Sequence, residues 1–337
     1  MNPSKTFKIS HHFLSLISGL VITTGLLNHT LYAAEITGAG STFVYPALSA
    51  WAQKYHTETG AEINYQAVGS GAGIAQIKAK TVDFAATDKP LSTQEVKTAH
   101  VLQFPVIMGG IVMGENISGL SQSDLVLNGK IISDIYLKKI TFWDDKNIQA
   151  LNPKLHLPHQ AITPVYRADA SGTTYNFTNY LSQVNPDFAK SLGASTTVKF
   201  PVGIAGKGNA GVASYIKTIS GSIGYVEFAY AEQNHLSFAS MAVNQNNIID
   251  PAHILSSFKN AAKNAVADQG IYHFPVSLAN AWPMMAATYV LLPLDNTNLA
   301  QSKTFFTFVF KHPEIATNLH YVAIPKSVTE KITAAWA

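Results

Sequence analysis

The sequence contains no cysteine in 337 residues. Disulfide bonds, thiolate metal sites and lipid attachment through an N-terminal cysteine are therefore excluded. Its twelve histidines are scattered, apart from one close pair near the N-terminus and one in a proline-flanked loop, and this is not the grouping of a metal centre. The formal net charge of +3 is too small to indicate a nucleic-acid or membrane-surface partner. We therefore expect no metal, no other cofactor and no bound nucleic acid.

Arginine is almost absent as well, since one arginine, Arg167, stands against twenty-two lysines. A guanidinium offers a planar fork of donors that matches an oxyanion bidentately, whereas lysine provides only a point charge. The segment 170–174, Ala-Ser-Gly-Thr-Thr, has the small, hydroxyl-rich composition of a helix start, where free N–H groups favour an anion. These residues predict an anion site. The alternative is a surface Arg–Asp pair before an ordinary helix cap.

The N-terminus has the layout of an export signal. Lys5 and Lys8 are followed by an uncharged apolar run, 13–27, and by a short polar stretch that reaches Ala34. This order is typical of a secretory signal peptide, and the run is short for a membrane span. We predict a signal peptide over 1–34. Tyr32 fits the small-residue rule for cleavage poorly, so an uncleaved anchor is the alternative.

Strand-like and helix-like segments alternate after residue 35. A short strand at 35–37 runs into the turn 38–43, and apolar residues then recur at helical spacing until Gly60. A second strand, 62–68, meets the glycine-rich segment 69–73 and another helix, and a third strand covers 82–88. Repeated strand–helix units predict an α/β fold with a parallel sheet covered by helices. Ligands of such sheets lie at the carboxyl ends of the strands.

Two longer apolar runs, 104–113 and 284–294, are too short to cross a bilayer and are rich in the residues of buried strands. They could mark where the chain leaves and re-enters a first domain. From the pattern alone, two unrelated core strands remain the alternative.

Three turns share one device, because 41–43, 70–71 and 171–173 each follow a strand and open a helix with hydroxyl groups or glycine. Together with the single arginine they predict helix starts that converge on one dehydrated anion. Asp88, at the end of the third strand, would repel that anion unless the ligand carries its own proton, because an ionised carboxylate can only accept hydrogen bonds. Phosphate keeps an O–H group at neutral pH, whereas sulfate has none. A helix cap or turn before Pro90 is the alternative role for Asp88.

These motifs resemble those of the periplasmic phosphate-binding proteins of Pst-type ABC transporters. The resemblance rests on the segments 38–43, 69–71, 82–88 and 167–173, and it continues through 134–137, 142–145, 206–209, 223–227 and 281–283.

The resemblance implies a two-domain periplasmic binding protein fold of type II, an α/β fold with the ligand in the interdomain cleft. Domain one would comprise 35–107 plus 285–337, domain two would comprise 108–284, and the two apolar runs would cross between them as a hinge. Asp169 would hold the arginine fork in place. Ala170 stands where the family often has glycine, which would strain the loop if that position required a positive φ. The implied phosphate contacts are Ser41, Thr42, Phe43 (through its backbone N–H), Ser70, Asp88, Arg167, Ser171, Gly172 and Thr173.

The resemblance also implies a function. The chain would be a periplasmic monomer that captures inorganic phosphate and delivers it to the permease subunits and the ATPase of an ABC importer. An enzyme is not expected, because the sequence has no Gly-x-Ser-x-Gly motif, no Walker spacing and no histidine cluster. The alternatives are a binder of another tetrahedral oxyanion, such as sulfate or molybdate, and a surface or signalling protein that reuses the fold.

Overall fold

The computed structural model describes residues 35–120, 124–244 and 247–336. The predicted signal peptide, 1–34, lies outside these residues. Within the described ranges no helix is both long enough and apolar enough to span a membrane.

Most of the strands in the described residues are short, and one is exceptionally long. In chain order the strands are β1 (Glu35–Gly40), β2 (Glu62–Ala67), β3 (Phe84–Thr87), β4 (Val101–Asn116), β5 (Val126–Leu127), β6 (Thr163–Arg167), β7 (Ile204–Gly206), β8 (Ser222–Glu227), β9 (Ser237–Phe238), β10 (Ser240–Asn244), β11 (Asn247–Ile249), β12 (Val266–Asp268), β13 (Ile271–His273), β14 (Met285–Pro293) and β15 (Val322–Ala323).

Helices alternate with these strands through most of the described chain. They are α1 (Tyr45–Thr59), α2 (Ser70–Lys78), α3 (Thr93–Ala99), α4 (Gly129–Tyr136), α5 (Lys146–Leu151), α6 (Gly172–Val184), α7 (Pro186–Ser191), α8 (Gly208–Thr218), α9 (Phe228–Gln233), α10 (Ile254–Lys263), α11 (Leu299–Lys311), α12 (Pro313–Asn318) and α13 (Lys326–Ala334).

The main sheet runs in the order β2-β1-β3-β14-β4-β8-β6-β7, and β15 and β9 also pair with β4. β1 is parallel to β2 and β3, and β6 is parallel to β7 and β8. The sheet therefore has a parallel set at each side, joined through antiparallel β14 and β4. The predicted α/β class is confirmed. The strands and helices predicted for the first three strand–helix units are also confirmed, and most of their boundaries lie within one to four residues of the predicted ones.

Local sequence explains the first helix. Apolar residues at Ala47, Leu48, Trp51 and Tyr55 recur every three or four positions and are buried against the sheet. Gly60 ends the helix with a φ of 74°, a left-handed conformation that costs glycine little.

The two apolar runs predicted to be buried strands fall in β4 and β14, which pair with each other. β14 is buried along its whole length. β4 pairs with β14 through 101–110 and with β8 through 111–116, so it belongs to both sides of the sheet. The alternative of two unrelated core strands is therefore wrong.

Candidate functional site

The carboxyl ends of β1, β2 and β3 meet at one edge of the sheet. Ser41, Thr42 and Phe43 follow β1, Ser70 begins α2 after β2, and Asp88 follows β3. We call these five residues the first wall. All five are 5% exposed or less, so parallel pairing brings three distant segments into one buried cluster.

A second wall faces them from the other side of the sheet, and it consists of residues 167–173 together with Asn209. Arg167 ends β6, and Ser171 is the N-cap of α6, where its Oγ accepts the Thr174 N–H at 3.1 Å. Gly172 and Thr173 begin α6, so their backbone N–H groups have no acceptor within the helix. The predicted helix start is therefore confirmed at this position.

Arg167 is fixed by Asp169. Its Nε donates to Asp169 Oδ1 at 2.9 Å and its Nη2 to Oδ2 at 2.5 Å, while Nη1 donates to Thr173 Oγ1 at 3.2 Å. The Arg167 side chain is 1% exposed, so the surface-pair alternative is wrong. Because Asp169 takes only the Nε edge of the guanidinium, hydrogens on Nη1 and Nη2 remain for a second oxyanion.

Asp169 stays an anion. Burial alone would raise its pKa, but the Arg167 guanidinium and the Gly208 N–H, 2.9 Å from Oδ1, lower the pKa below its ordinary value. A buried, hydrogen-bonded ion pair of this kind is costly to break from one side. The second wall therefore carries its cation already paired.

Asp88 is surrounded by hydroxyl groups. Ser41 Oγ lies 2.7 Å from both carboxylate oxygens, Thr288 Oγ1 donates to Oδ1 at 2.7 Å, and Ser70 Oγ lies 3.4 Å from Oδ2. The N-cap of the next helix, α3, is Ser92. Asp88 is therefore not a helix cap, although it does lie in the bend 88–89 before Pro90.

The electrostatics of Asp88 differ from those of Asp169. Burial raises the pKa of Asp88 to about 6, against the opposing effects of the Ser41 and Thr288 hydroxyls, the Arg167 charge and the Ser70 hydroxyl. With that pKa the group is mostly ionised at neutral pH, and an ionised carboxylate can only accept hydrogen bonds. The first wall thus presents one acceptor among neutral donors.

The two walls touch directly. A Cβ built on Gly172 would lie 2.6 Å from both Asp88 Oδ2 and Ser70 Oγ, so only glycine fits there. Gly71 N donates to the Ala170 carbonyl at 2.9 Å, and Asn176 Nδ2 donates to the Asp88 carbonyl at 2.7 Å. The structure is therefore closed at this point.

Ala170 is not strained. It is not among the non-glycine residues of the described chain that have a positive φ. The departure from the family's glycine is therefore accommodated, and the Ala170 methyl group fills the space that a Cβ on Gly71 would occupy.

Thr42 has partners that sequence reasoning did not identify. Asn209 donates to Thr42 Oγ1 through Nδ2 at 2.8 Å and through its backbone N at 3.2 Å, and Tyr230 Oη donates to the Thr42 carbonyl at 2.8 Å. With two donors on its oxygen, the Thr42 hydroxyl has its own proton available for a ligand. Asn209 lies in the quoted motif 206–209, which could have identified it. Tyr230 and Thr288 have no such local signal.

Another carboxyl group near the walls, Glu227, is buried and ends β8. Its Oε1 accepts the Ala229 N–H at 2.9 Å, while Oε2 has no hydrogen-bond partner in the described residues. Burial raises the pKa of Glu227 to about 8, and the charge of Asp88 acts in the same direction. Glu227 is therefore protonated at neutral pH.

A cavity of about 150 Å³ reaches Asp88 between α6 and β14, bordered by Tyr175, Asn176, Ala287 and Tyr289. Among the predicted phosphate contacts, Asp88 is the one that borders this cavity. The described residues contain no group of three histidine or acidic side chains that could hold a metal ion. What the walls bring together chemically is one buried acceptor, Asp88, a paired cation, Arg167, and several neutral hydroxyl and N–H donors.

The chain matches known proteins over most of its length. Residues 28–311 match the family model described as a PBP superfamily domain. The phosphate-binding protein PstS of Xylella fastidiosa (strain Temecula1) is 42% identical over 313 residues, covering 90% of this chain and 85% of that protein. The PstS protein of Haemophilus influenzae is 40% identical over 324 residues, covering 94% of this chain and 96% of that protein.

Solved structures share the fold. A high-affinity periplasmic phosphate-binding protein with bound phosphate superposes with a TM-score of 0.70 at 21% identity, covering 89% of this chain and 93% of that one. A phosphate-binding protein from Stenotrophomonas maltophilia gives a TM-score of 0.65 at 16% identity, covering 90% and 94%. The type II binding protein fold expected from the sequence is thereby confirmed. The chain belongs to the PBP superfamily and, within it, to the PstS family of phosphate-binding proteins.

Proposed function

We propose that this protein captures inorganic phosphate in the periplasm and delivers it to an ABC importer. The observation that carries this proposal is the position of Asp88, a buried acceptor that faces the Gly172 start of α6 and the Arg167 side of the cleft. An anion that carries its own proton satisfies both walls at once. The names of the PstS relatives support the same ligand.

The phosphate contacts we propose divide between the walls. Arg167 binds through its Nη1 and Nη2 edge, and Ser171, Gly172 and Thr173 donate from the start of α6. Ser41, Thr42, Phe43 and Ser70 donate from the first wall. Hydrogen bonds to a charged group contribute about 1.5–3 kcal/mol each, so a handful exceed the roughly 8 kcal/mol of a micromolar site.

In the closed structure some of these donors are used within the protein. The Phe43 N–H donates to Ser41 Oγ at 2.9 Å, and Ser41 donates to Asp88. Phosphate binding therefore requires the Ser41 proton to turn from Asp88 to the ligand and the Phe43 N–H to leave Ser41 Oγ for the ligand. The proton of the ligand then replaces the Ser41 proton on the carboxylate.

Selectivity follows from the same acceptor. Sulfate opposite ionised Asp88 would place two lone pairs face to face, with both groups buried and unpaired. Sites that depend on a matched donor discriminate by about 10⁴-fold or more against the ligand that lacks it. Binding of sulfate or molybdate in place of phosphate is the alternative that the experiment below separates.

We propose domain one as 35–107 plus 285–337 and domain two as 108–284, with β4 and β14 as the hinge. β4 changes partner from β14 to β8 between Gly110 and Ile111, close to the first proposed boundary. Opening about this point would separate the two walls and admit the ligand.

The predicted signal peptide and the PstS relatives support a location and partners for the protein. A signal peptide over 1–34 would place the protein in the periplasm. It would act there as a monomeric binding protein rather than as an enzyme, with the permease subunits and ATPase as partners.

The test is calorimetric titration of protein refolded from denaturant in phosphate-free buffer. We expect phosphate to bind and a large excess of sulfate to leave that binding unchanged. Phosphate at a hundredfold excess over its dissociation constant should also raise stability by about 2.7 kcal/mol. Absence of phosphate binding by the refolded protein would overturn the proposal, and equal competition by sulfate would favour the alternative.

A further inference from the structure

One donor to Asp88 comes from outside the proposed phosphate contacts. Thr288 lies in β14, is completely buried, and donates from Oγ1 to Asp88 Oδ1 at 2.7 Å. Within the described residues its hydroxyl makes no other hydrogen bond. The other two donors, Ser41 and Ser70, are proposed ligand contacts of the first wall. The hydroxyl groups around Asp88 therefore fall into two kinds.

The two kinds behave differently when a ligand binds. A hydroxyl group has one proton to donate. When Ser41 and Ser70 turn their protons to the phosphate oxygens, the carboxylate loses both of them. Thr288 has no other acceptor, so its bond to Oδ1 remains. Thr288 then remains the hydrogen-bond donor to the buried Asp88 carboxylate.

The two oxygens of Asp88 are consequently distinct. Oδ1 is held by Thr288, whereas Oδ2 faces the start of α6, where a Cβ on Gly172 would lie 2.6 Å from it. Fixing Oδ1 directs Oδ2 to the place where the ligand proton would lie. Thr288 therefore determines which lone pairs of the Asp88 carboxylate are free to accept the ligand proton.

The sheet is irregular at this position. The ladder between β14 and β4 changes register between Thr288 and Tyr289, so that Val106 of β4 is an extra residue beside Pro105. Proline has no N–H to give to the ladder. Bulges of this kind increase local twist and re-aim side chains beside functional sites, and this one adjoins the strand residue that contacts Asp88.

We propose that Thr288 is a positioning residue that keeps Asp88 an acceptor in the ligand complex and thereby sets the preference for a protonated oxyanion. This inference rests on the proposed phosphate function. Thr288 acts through Asp88 and does not touch the ligand itself.

The groups around Asp88 determine in which direction its pKa moves when Thr288 is replaced. The charged groups on neighbouring elements are Arg167 and Glu227, and Lys89 extends over the Tyr175 ring. The buried tyrosines that interact electrostatically with Asp88 are Tyr65, Tyr230 and Tyr321. All of these stay in place when Thr288 is changed. Removing the Thr288 hydroxyl removes a donor that lowers the Asp88 pKa, so that pKa rises above about 6.

Sulfate is the probe that reports the state of Asp88. A protonated Asp88 can donate to sulfate, so sulfate binding should improve as the pH falls through the Asp88 pKa. Sulfate itself has no proton to lose near neutrality. The labelled phosphate does titrate in this range, but it is the same for every variant, so a difference between the profiles of two variants comes from the protein. Competition by sulfate against labelled phosphate is measured across about pH 5 to about pH 9 in wild type, Thr288→Val and Thr288→Ser.

We expect the pH at which sulfate begins to compete to move upward by about one unit in Thr288→Val. At pH 7, sulfate should then compete about fivefold better than in wild type, and the factor should approach about tenfold at higher pH. Thr288→Ser keeps the hydroxyl and should behave as wild type. A Thr288→Val profile that matches wild type overturns the inference, and so does an equal change at every pH in both variants, which would indicate packing alone.

A second variant keeps the test decisive if Thr288→Val does not fold. Thr288→Ala removes the hydroxyl without placing a second methyl group against the carboxylate, and the same upward movement is expected in it. Failure of wild-type protein to bind phosphate would remove the proposed function itself. Phosphate binding by wild type with an unmoved sulfate profile in both hydroxyl-free variants would remove only the role of Thr288.

Discussion

The two walls of the cleft hold their carboxylates in opposite ways. On the second wall, Asp169 is paired with Arg167 and its pKa lies below the ordinary value. On the first wall, Asp88 has hydroxyl groups around it but forms no ion pair with any cation of the described residues, and its pKa is raised to about 6. In the proposed function the second wall attracts the anion, and the first wall tests for a ligand proton. We therefore expect affinity and selectivity to depend on different sides of the site.

Removing the cation should have the largest effect. In Arg167→Ala, Asp169 faces the ligand unpaired, a situation that costs roughly 3–5 kcal/mol in buried pairs, and phosphate binding should be lost or nearly lost. Arg167→Lys keeps the charge without the planar fork and should weaken binding less. Calorimetric titration with phosphate measures both.

Lys207→Ala is the matched control for this experiment, because Lys207 is an exposed cation next to the second wall. It should bind phosphate nearly as wild type does. Wild-type affinity in Arg167→Lys would remove the bidentate argument, and wild-type affinity in Arg167→Ala would remove the site.

Glu227 tests whether burial without a cation is enough to raise a carboxyl pKa. Its pKa in the folded protein, about 8, lies above the ordinary value of 4.5. Its contribution to stability is therefore fully present below the ordinary pKa and is lost as the pH rises through about 8. Glu227→Gln cannot ionise.

The free energy of unfolding of wild type should therefore fall relative to that of Glu227→Gln between these two pH values, by on the order of 5 kcal/mol in total. Denaturant unfolding at a series of pH values gives this difference. A difference that does not change with pH would mean that Glu227 is not held protonated, and the comparison between the walls would lose its electrostatic basis.

The contact between Thr42 and Asn209 joins the walls. It should contribute less to phosphate affinity than Arg167 does. Asn209→Ala removes the side-chain donor that lies 2.8 Å from Thr42 Oγ1. It also removes Asn209 Oδ1, which accepts a hydrogen bond from the Glu227 N–H at 3.1 Å. We expect phosphate to bind about tenfold more weakly. The effect should largely disappear in a Thr42→Val background, with a coupling energy of about 1–2 kcal/mol.

Asn176→Ala is the control for this cycle. Asn176 also crosses the cleft, but to the Asp88 carbonyl and not to Thr42. Its effect should add to that of Thr42→Val. Additive behaviour of Asn209→Ala would show that Asn209 does not act through the Thr42 hydroxyl.

The sequence predicted those features that have local signals. Regular apolar spacing and Gly60 predicted α1, and hydroxyl-rich turns predicted the first wall and the start of α6. The lone arginine and Asp169 were recognisable because they are two residues apart and lie in a specific motif. Parallel pairing then made their convergence an expectation of the fold.

Other features depend on contacts between distant segments. Thr288 lies in an apolar strand 200 residues from Asp88, and nothing in its neighbours distinguishes it from a core residue. Tyr230 reaches the Thr42 carbonyl from 188 residues away. The raised pKa values of Asp88 and Glu227 follow from burial, which a single sequence does not reveal. The motifs of the proposed site were therefore predictable from the sequence, but the residues that support them were not.

The most direct test of the division between the walls is the selectivity of Asp88→Asn. An amide can present either a donor or an acceptor, so the variant should still bind phosphate while its preference over sulfate falls by roughly tenfold or more, about 1.4 kcal/mol. Asp83→Asn is the control, since Asp83 is a buried aspartate whose carboxylate accepts from Thr37 and Asn298 and lies outside the site; its selectivity should not change. Competition binding near neutral pH measures both. If Asp88→Asn excludes sulfate as well as wild type does, Asp88 is not the acceptor that selects the protonated anion, and the account is contradicted.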